Sequence, residues 1–341
     1  MIFLSFSLSL LNAADAACPS AYSANDCLDA GAHPYCSLSS TTFSCSPSLG
    51  TSTVDTSEYA TSKASDSTYN VYGTDSDGAK FCCSVAASSV TYLVVTAGNG
   101  DDILAESYGG TESLCGISGG QGLTVTVYGG TGEDLISGTP ATGCTTIWET
   151  FYGQAGGDTI EGFGRTVTIY GEANGAWGDW LIDAGDASDS ATFAAALYGG
   201  DGADMLESDN DLGTFMAGGD GADLFFGGSG PDEMHGAAGA DEMSGGPGND
   251  SMYGEAGNDI IAGEAGTDTL YGGDDNDTEC GGADNADTMY GGNGNDVLDD
   301  DGSTGSTYGE GGTDTCDNIT SAAPAPSCNT ITATSYQCGT Y

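Results

Sequence analysis

Residues 218–271 read GGDGADLFF, GGSGPDEMH, GAAGADEMS, GGPGNDSMY, GEAGNDIIA and GEAGTDTLY, six consecutive units of nine residues. The period continues as GGDDNDTEC at 272–280, a ten-residue GGADNADTMY at 281–290 and GGNGNDVLD at 291–299, with a last copy, GEGGTDTCD, at 309–317. Wider-spaced copies stand upstream: AGNGDDILA from Ala97, GGTGEDLIS from Gly129, GQAGGDTIE from Gly153 and GGDGADMLE from Gly199. So short a period, repeated so often, marks a solenoid in which each unit buries its apolar face only against its neighbours. Residues 123–128 and 166–170, between the early copies, alternate in period two and are rich in β-branched side chains, as half-buried strands are. No helical period of useful length appears. The expected fold is all-β: a parallel β-roll or β-solenoid with a small disulfide-bonded N-terminal region.

Each unit carries its own chemistry. Glycines at positions one, two and four are expected to admit positive φ and a tight corner with carbonyls turned inward. The aspartate at position six adds a hard anionic oxygen. Carbonyls plus carboxylates suit the flexible oxygen cage of Ca²⁺ better than the strict octahedron of Mg²⁺. The apolar residue at position eight points to the core. Two units then make one coil of eighteen residues, with corners alternating between two edges. That sorts the aspartates into two columns of candidate metal ligands. The first is Asp204, Asp223, Asp241, Asp259, Asp277, Asp296 and Asp314, and the second is Asp232, Asp250, Asp268 and Asp287. Neighbouring members pair six times in the first column and three times in the second, so about nine Ca²⁺ ions are expected. Upstream, Asp102, Asp134, Asp158 and Asp179 are separated by 32, 24 and 21 residues; a long coil with one such corner per turn could still stack and take calcium if successive corners are in register, and an ordinary hydrophobic β-solenoid is the plainer reading.

The unit GGxGxDxUx, with U a large apolar residue, resembles the RTX, or hemolysin-type, calcium-binding nonapeptide repeat from about 199 to 317, and more loosely from about 97. The resemblance implies a calcium-binding β-roll. Members of that family often carry the repeats beside a catalytic or pore-forming domain, for which the remainder of this chain is small. Bacterial relatives that leave through one-step channels lack an N-terminal signal and have few cysteines, whereas this chain has both features, which points to the general secretory route.

The chain has 341 residues, 51 acidic and 3 basic, for a formal net charge of −48. Such a surface repels nucleic acid and anionic membranes and attracts cations. With two histidines, His33 and His235, no multi-histidine metal site is available. Twelve cysteines and the apolar run at 2–11, followed by Ala14-Asp15-Ala16, indicate a signal peptide over 1–16 and an extracellular, oxidising destination. The expected organisation continues with a Cys- and Ser-rich region at 17–90, a degenerate β-solenoid at 91–198, the calcium-binding roll at 199–317 and a cysteine-containing tail at 318–341. No segment is long and apolar enough to span a membrane.

Other features are thinner. Tyr253, Tyr271, Tyr290 and Tyr308 share one column with His235, Ala217 and Tyr198, extended by Tyr170, Tyr152, Tyr128 and Tyr108. This exposed face would suit glycan binding or self-association; shielding of the strand ladder is the plainer reading. Glu279 occupies a core slot and Asp275 a glycine slot, which makes the 272–280 corner irregular. Residues 300–308 lack the corner aspartate, so the second column should break there. Gly116-Ile117-Ser118-Gly119-Gly120 matches GxSxG without the strand-to-helix elbow of a hydrolase, and HExxH is absent. Of the sequons at Asn249, Asn276 and Asn318, the first two sit inside corners where a glycan would hinder folding. The function indicated is a secreted calcium-binding β-roll protein with a structural, adhesive or interaction role, and no enzyme. The rival is an extracellular β-helix polysaccharide lyase or epimerase acting through 97–217, for which Lys63, Lys80 and Arg165 are a poor supply of positive charge.

Overall fold

The computed structural model describes strand segments between residues 36 and 86, most of 91–317, and 328 and 330–332. The signal peptide, Gly116–Gly120 motif, Tyr108 and Asn318 lie outside the described residues. Two long sheets face each other, and the chain winds between them. One face runs from Tyr92–Thr96 through Leu123–Thr131 and Ile147–Ala155 to Thr288–Gly294 and Ser306–Gly312. The other runs from Ile103–Glu106 through Leu135–Ser137 to Val297–Asp299, Thr315–Asp317 and Thr330–Thr332. Successive strands on each face pair in parallel, coil upon coil. No described residue is helical, and among them no helix is long and apolar enough to cross a membrane.

The N-terminal end differs. Cys36–Ser39 pairs antiparallel with Thr42–Cys45, which lies parallel to Tyr92–Thr96. Glu58–Lys63, Thr68–Thr74 and Lys80–Ala86 form an antiparallel meander joined to Ile103–Glu106. These strands extend both sheets and cover edges that would otherwise template pairing with another chain.

Strand alternation builds a thin core of two facing strips. Ile136, Ile160, Leu181, Leu206, Phe225, Met243 and Ile261 stand in register on one face, while Val127, Phe151, Ile169, Leu197, Met216, Met234 and Met252 do so on the other. Every one of the position-eight residues expected inside from 206 to 316 is buried. Cys316 ends the strip and is bridged to Cys328, with a Cα–Cα distance of 5.9 Å.

Glu279 is the exception, fully buried between Ile261 and Leu298. Desolvation raises its carboxyl well above the ordinary range, so burial disfavours its charged form. Neither oxygen makes a well-formed hydrogen bond, although the Gly272 backbone interacts with the carboxyl and opposes the rise. Glu279→Met restores the apolar strip. It is expected to stabilise the folded state by about 1–3 kcal/mol, the penalty of burying an unsatisfied polar group. Thermal denaturation of the calcium-loaded protein checks this; an unchanged or lower midpoint would show that the carboxyl has a structural partner.

The aromatic column is continuous. Tyr128, Tyr152, Tyr170 and Tyr198 stack at 4.7–4.8 Å, and His235, Tyr253, Tyr271, Tyr290 and Tyr308 at 4.6–4.9 Å. Ala217 holds the expected backbone slot, but the ring bridging the gap is Phe215, at 5.6 Å from Tyr198 and 5.5 Å from His235. Upstream of Tyr128 the paired backbone slot belongs to Thr96. The rings were expected to be exposed and are half-buried, because stacking at the strand repeat covers each face with its neighbour.

Candidate metal centre

The corners are built by hydrogen bonds that copy themselves from coil to coil. On the first edge, the backbone N–H of Asp204 donates to Oδ1 of Asp223, and the pattern repeats through Asp241, Asp259, Asp277 and Asp296 to Asp314, at 2.8–3.2 Å. On the second edge it runs from Asp232 through Asp250 and Asp268 to Asp287, at 2.8 Å. The Asp carbonyls accept from the strand that begins on the next coil. The geometry thus places the eleven aspartates in the two columns expected from their spacing. Thr214 heads the second column, donating its N–H to Asp232. Gly305 occupies the next aspartate slot beyond Asp287, since Ser306 donates to the Asp287 carbonyl.

The second carboxylate oxygen is left over. Oδ2 of Asp204, Asp223, Asp241, Asp259, Asp277, Asp296 and Asp314, and of Asp232, Asp250 and Asp268, is buried without a hydrogen-bond partner. In a folded protein such atoms need an explanation. Their surroundings supply one. A Cβ built on Gly199 would collide with Oδ2 of Asp204 and the carbonyl oxygen of Gly218; Gly254 stands likewise against Asp259 and Gly272, and Gly245 against Asp250 and Gly263. These corners therefore bring a carboxylate oxygen and a carbonyl oxygen of the next coil together around a point too tight for a methyl group. Two acceptors meet there with no donor. A hard cation or a proton would satisfy both.

The role of the first glycine differs from expectation. Positive φ occurs at positions two and four, as at Gly219 (118°) and Gly221 (154°), and not at position one. Position one needs glycine for space. Gly254→Ala is expected to cost about 1–3 kcal/mol through overpacking and to raise the calcium midpoint, as monitored by circular dichroism; an unchanged midpoint would show that the corner can widen. At position four of the irregular unit, Asp275 takes φ 81°, so its corner keeps the usual path at a cost of strain.

Burial also shifts the carboxyls. Desolvation pushes Asp223, Asp268 and Asp277 up to about 7, Asp232 to about 8, and Asp241 and Asp250 to about 6. It raises Asp204, Asp259, Asp287 and Asp296 in the same direction. The N–H bond to Oδ1 opposes the rise, and neighbouring aspartates add to it at several positions. A column without cations is thus poorly tolerated in its charged form.

Among the described residues, no cluster of three or more His, Cys, Asp and Glu side chains is placed to hold a metal. An ion in these corners would draw on backbone carbonyls as much as on carboxylates, an all-oxygen set that suits Ca²⁺.

An asparagine ladder escaped the sequence reading. Oδ1 of Asn258 accepts from the N–H of Asn276, Asn276 from Asn295, and Asn295 from Thr313, at 2.8–3.0 Å. Asn249 does the same for Thr267. Its signal was the recurrent asparagine at position five. The two sequon side chains at Asn249 and Asn276 are engaged in this ladder. His235 is an outward strand residue, 3.2 Å from both Glu233 and Glu255.

The RTX calcium-binding nonapeptide repeat, in a four-copy profile, matches residues 217–252 and 244–279. No curated protein matches the chain.

Proposed function

We propose, from the RTX calcium-binding repeats at 217–279, that this chain is a secreted calcium-binding β-roll protein that folds on its ions and serves a structural or adhesive role. One observation carries this reading: buried Oδ2 atoms without partners recur at successive corners, most of them beside a carbonyl of the next coil. Asp204, Asp223, Asp232, Asp241, Asp250, Asp259, Asp268, Asp277, Asp287, Asp296 and Asp314 would hold the ions. Bound Ca²⁺ supplies positive charge between acceptors that otherwise repel. The protein supplies the rest: strand pairing fixes the corner spacing, Oδ1 is anchored by an N–H, and the first glycine keeps the space open. Secretion is supported by the apolar run at 2–11 and the Cys316–Cys328 bridge.

Equilibrium dialysis on the isolated chain, with Ca²⁺ against Mg²⁺, tests the binding. Uptake of about nine or more Ca²⁺ with weak Mg²⁺ competition is expected; no uptake would refute the reading. Contact with a glycan or a second copy through Tyr253, Tyr271 and Tyr290 is the finer proposal. If that face mediates assembly, replacing all three with Ser abolishes association in sedimentation while calcium-induced folding persists. Lost folding with unchanged association would assign the ladder to shielding.

The lyase or epimerase reading of 97–217 is less well supported. Asp134, Asp158 and Asp179 are buried in corners, out of reach of a polysaccharide.

A further inference from the structure

The first aspartate column does not begin at Asp204. The N–H of Asp102 donates to Oδ1 of Asp134, Asp134 to Asp158, Asp158 to Asp179, and Asp179 to Asp204, at 2.7–2.8 Å. The sequence separations are 32, 24, 21 and 25, yet the bond is the one made by the regular repeats at 18 or 19. The reason lies in the topology. The first corner is short from Leu123–Thr131 to Leu135–Ser137 and from Ile147–Ala155 to Thr159–Gly162, and longer from Thr166–Ala173 to Trp180–Asp183. Most of the extra residues fall on the return path, as from Ser137 to Ile147 and from Asp183 to Ala195, whereas the coil from Asp158 to Asp179 takes its extra residues between Gly171 and Asp179. Variable length falls mainly on one edge, and strand pairing keeps the aspartates of the other in register.

The upstream corners also hold the same leftover oxygen. Asp134, Asp158 and Asp179 are 1–2 % exposed, and the Oδ2 of each lacks a partner. A Cβ on Gly129 would collide with both Oδ2 of Asp134 and the Gly153 carbonyl oxygen, and one on Gly171 with both Oδ2 of Asp179 and the Gly199 carbonyl oxygen. Gly153 has no room for a Cβ against Oδ2 of Asp158.

We propose that the edge lined by Asp134, Asp158, Asp179 and Asp204 is a calcium-binding edge outside the family-matched repeats, adding an ion at each of the pairs 134/158, 158/179 and 179/204. The inference rests on the calcium reading of the repeats. It makes the upstream solenoid a one-edged version of the roll: the first corner binds ions, while the return edge varies freely and is open to another use.

All three tryptophans, Trp148, Trp177 and Trp180, belong to this segment, and the partly exposed Trp180 directly follows Asp179. Tb³⁺, a hard oxygen-seeking stand-in for Ca²⁺, emits when a tryptophan close by is excited. Excitation at the red edge of tryptophan absorption, where tyrosine is silent, therefore reports the upstream edge and not the repeats. In the full chain, strong sensitised emission is expected, displaced by Ca²⁺. D158N/D179N keeps both Oδ1 acceptors but removes charge from all three pairs. It is expected to lose most of this emission while Ca²⁺ still raises the β-structure of the repeats. D259N should leave the emission nearly unchanged. Native mass spectrometry of the unaltered protein gives a second readout independent of any variant: nine repeat ions plus three, or twelve. A loaded, folded repeat segment with no tryptophan-sensitised emission, or with only nine ions, overturns the upstream edge and leaves the repeat reading standing. No ion uptake anywhere overturns both.

Discussion

Neutralising the middle of the first column is expected to weaken the calcium response far more than neutralising its end. Asp259 has column neighbours on both sides, Asp241 and Asp277, whereas Asp314 has only Asp296. Asp259→Asn therefore removes charge from two neighbouring pairs and Asp314→Asn from one. Asparagine retains an Oδ1 that can accept the N–H of the preceding coil, so the hydrogen-bond ladder survives and the comparison isolates charge. Coils contact only their neighbours, so a central defect also splits the cooperative unit, while a terminal one shortens it. The expected shift in calcium midpoint for Asp259→Asn is about tenfold or more, equivalent to about 1.4 kcal/mol, with a clearly smaller shift for Asp314→Asn. Calcium titrations followed by circular dichroism measure both. Equal shifts would mean that the corners act independently and that the column is not the binding unit.

Acidity should partly replace calcium. In the ion-free fold, burial raises the column carboxyls, to about 7 at Asp223 and about 8 at Asp232, from an ordinary value near 4 in the unfolded chain. For a group raised on folding, the stabilising contribution is present in full below the unfolded value and is lost as pH rises through the folded one. The chelated protein is therefore expected to hold more β-structure at about pH 5 than at about pH 8, with the loss falling between about pH 6 and 8. Protons and Ca²⁺ compete for the same oxygens, so apparent calcium affinity should rise over that window. Circular dichroism in chelator across this range, with sedimentation to exclude aggregation, checks the sign. A chelated protein more structured at the alkaline end would contradict the burial of these carboxyls.

Much of this was legible because the regular repeats have no slack. A coil of eighteen residues puts each position-six aspartate above the last and each position-eight side chain into the core, as Phe225, Met243 and Ile261 show. Spacing alone gives both columns. It fails upstream because residues inserted on the return path, and in the corner between Gly171 and Asp179, change the separations between Asp102, Asp134, Asp158 and Asp179 without moving the aspartates out of register. Sequence separation measures a whole coil, whereas register depends only on the corner. The glycine argument was half right for a related reason. Conformational freedom explains Gly219 and Gly221, but Gly254 is required by an oxygen on a neighbouring coil, which no local pattern reveals. Phe215 replaces Ala217 in the ring stack because it sits two residues earlier on the same strand, on the same face, and is long enough to reach.

The measurement closest to the central claim is far-ultraviolet circular dichroism of the protein in chelator, in millimolar Mg²⁺ and in millimolar Ca²⁺. Glycine-rich coils lose much entropy on ordering, and the ion-free corners crowd buried acceptors together, so binding free energy becomes folding free energy. A large, cooperative gain of β-structure in Ca²⁺, with little in Mg²⁺ and little in chelator at neutral pH, is expected. Identical spectra in all three would contradict it.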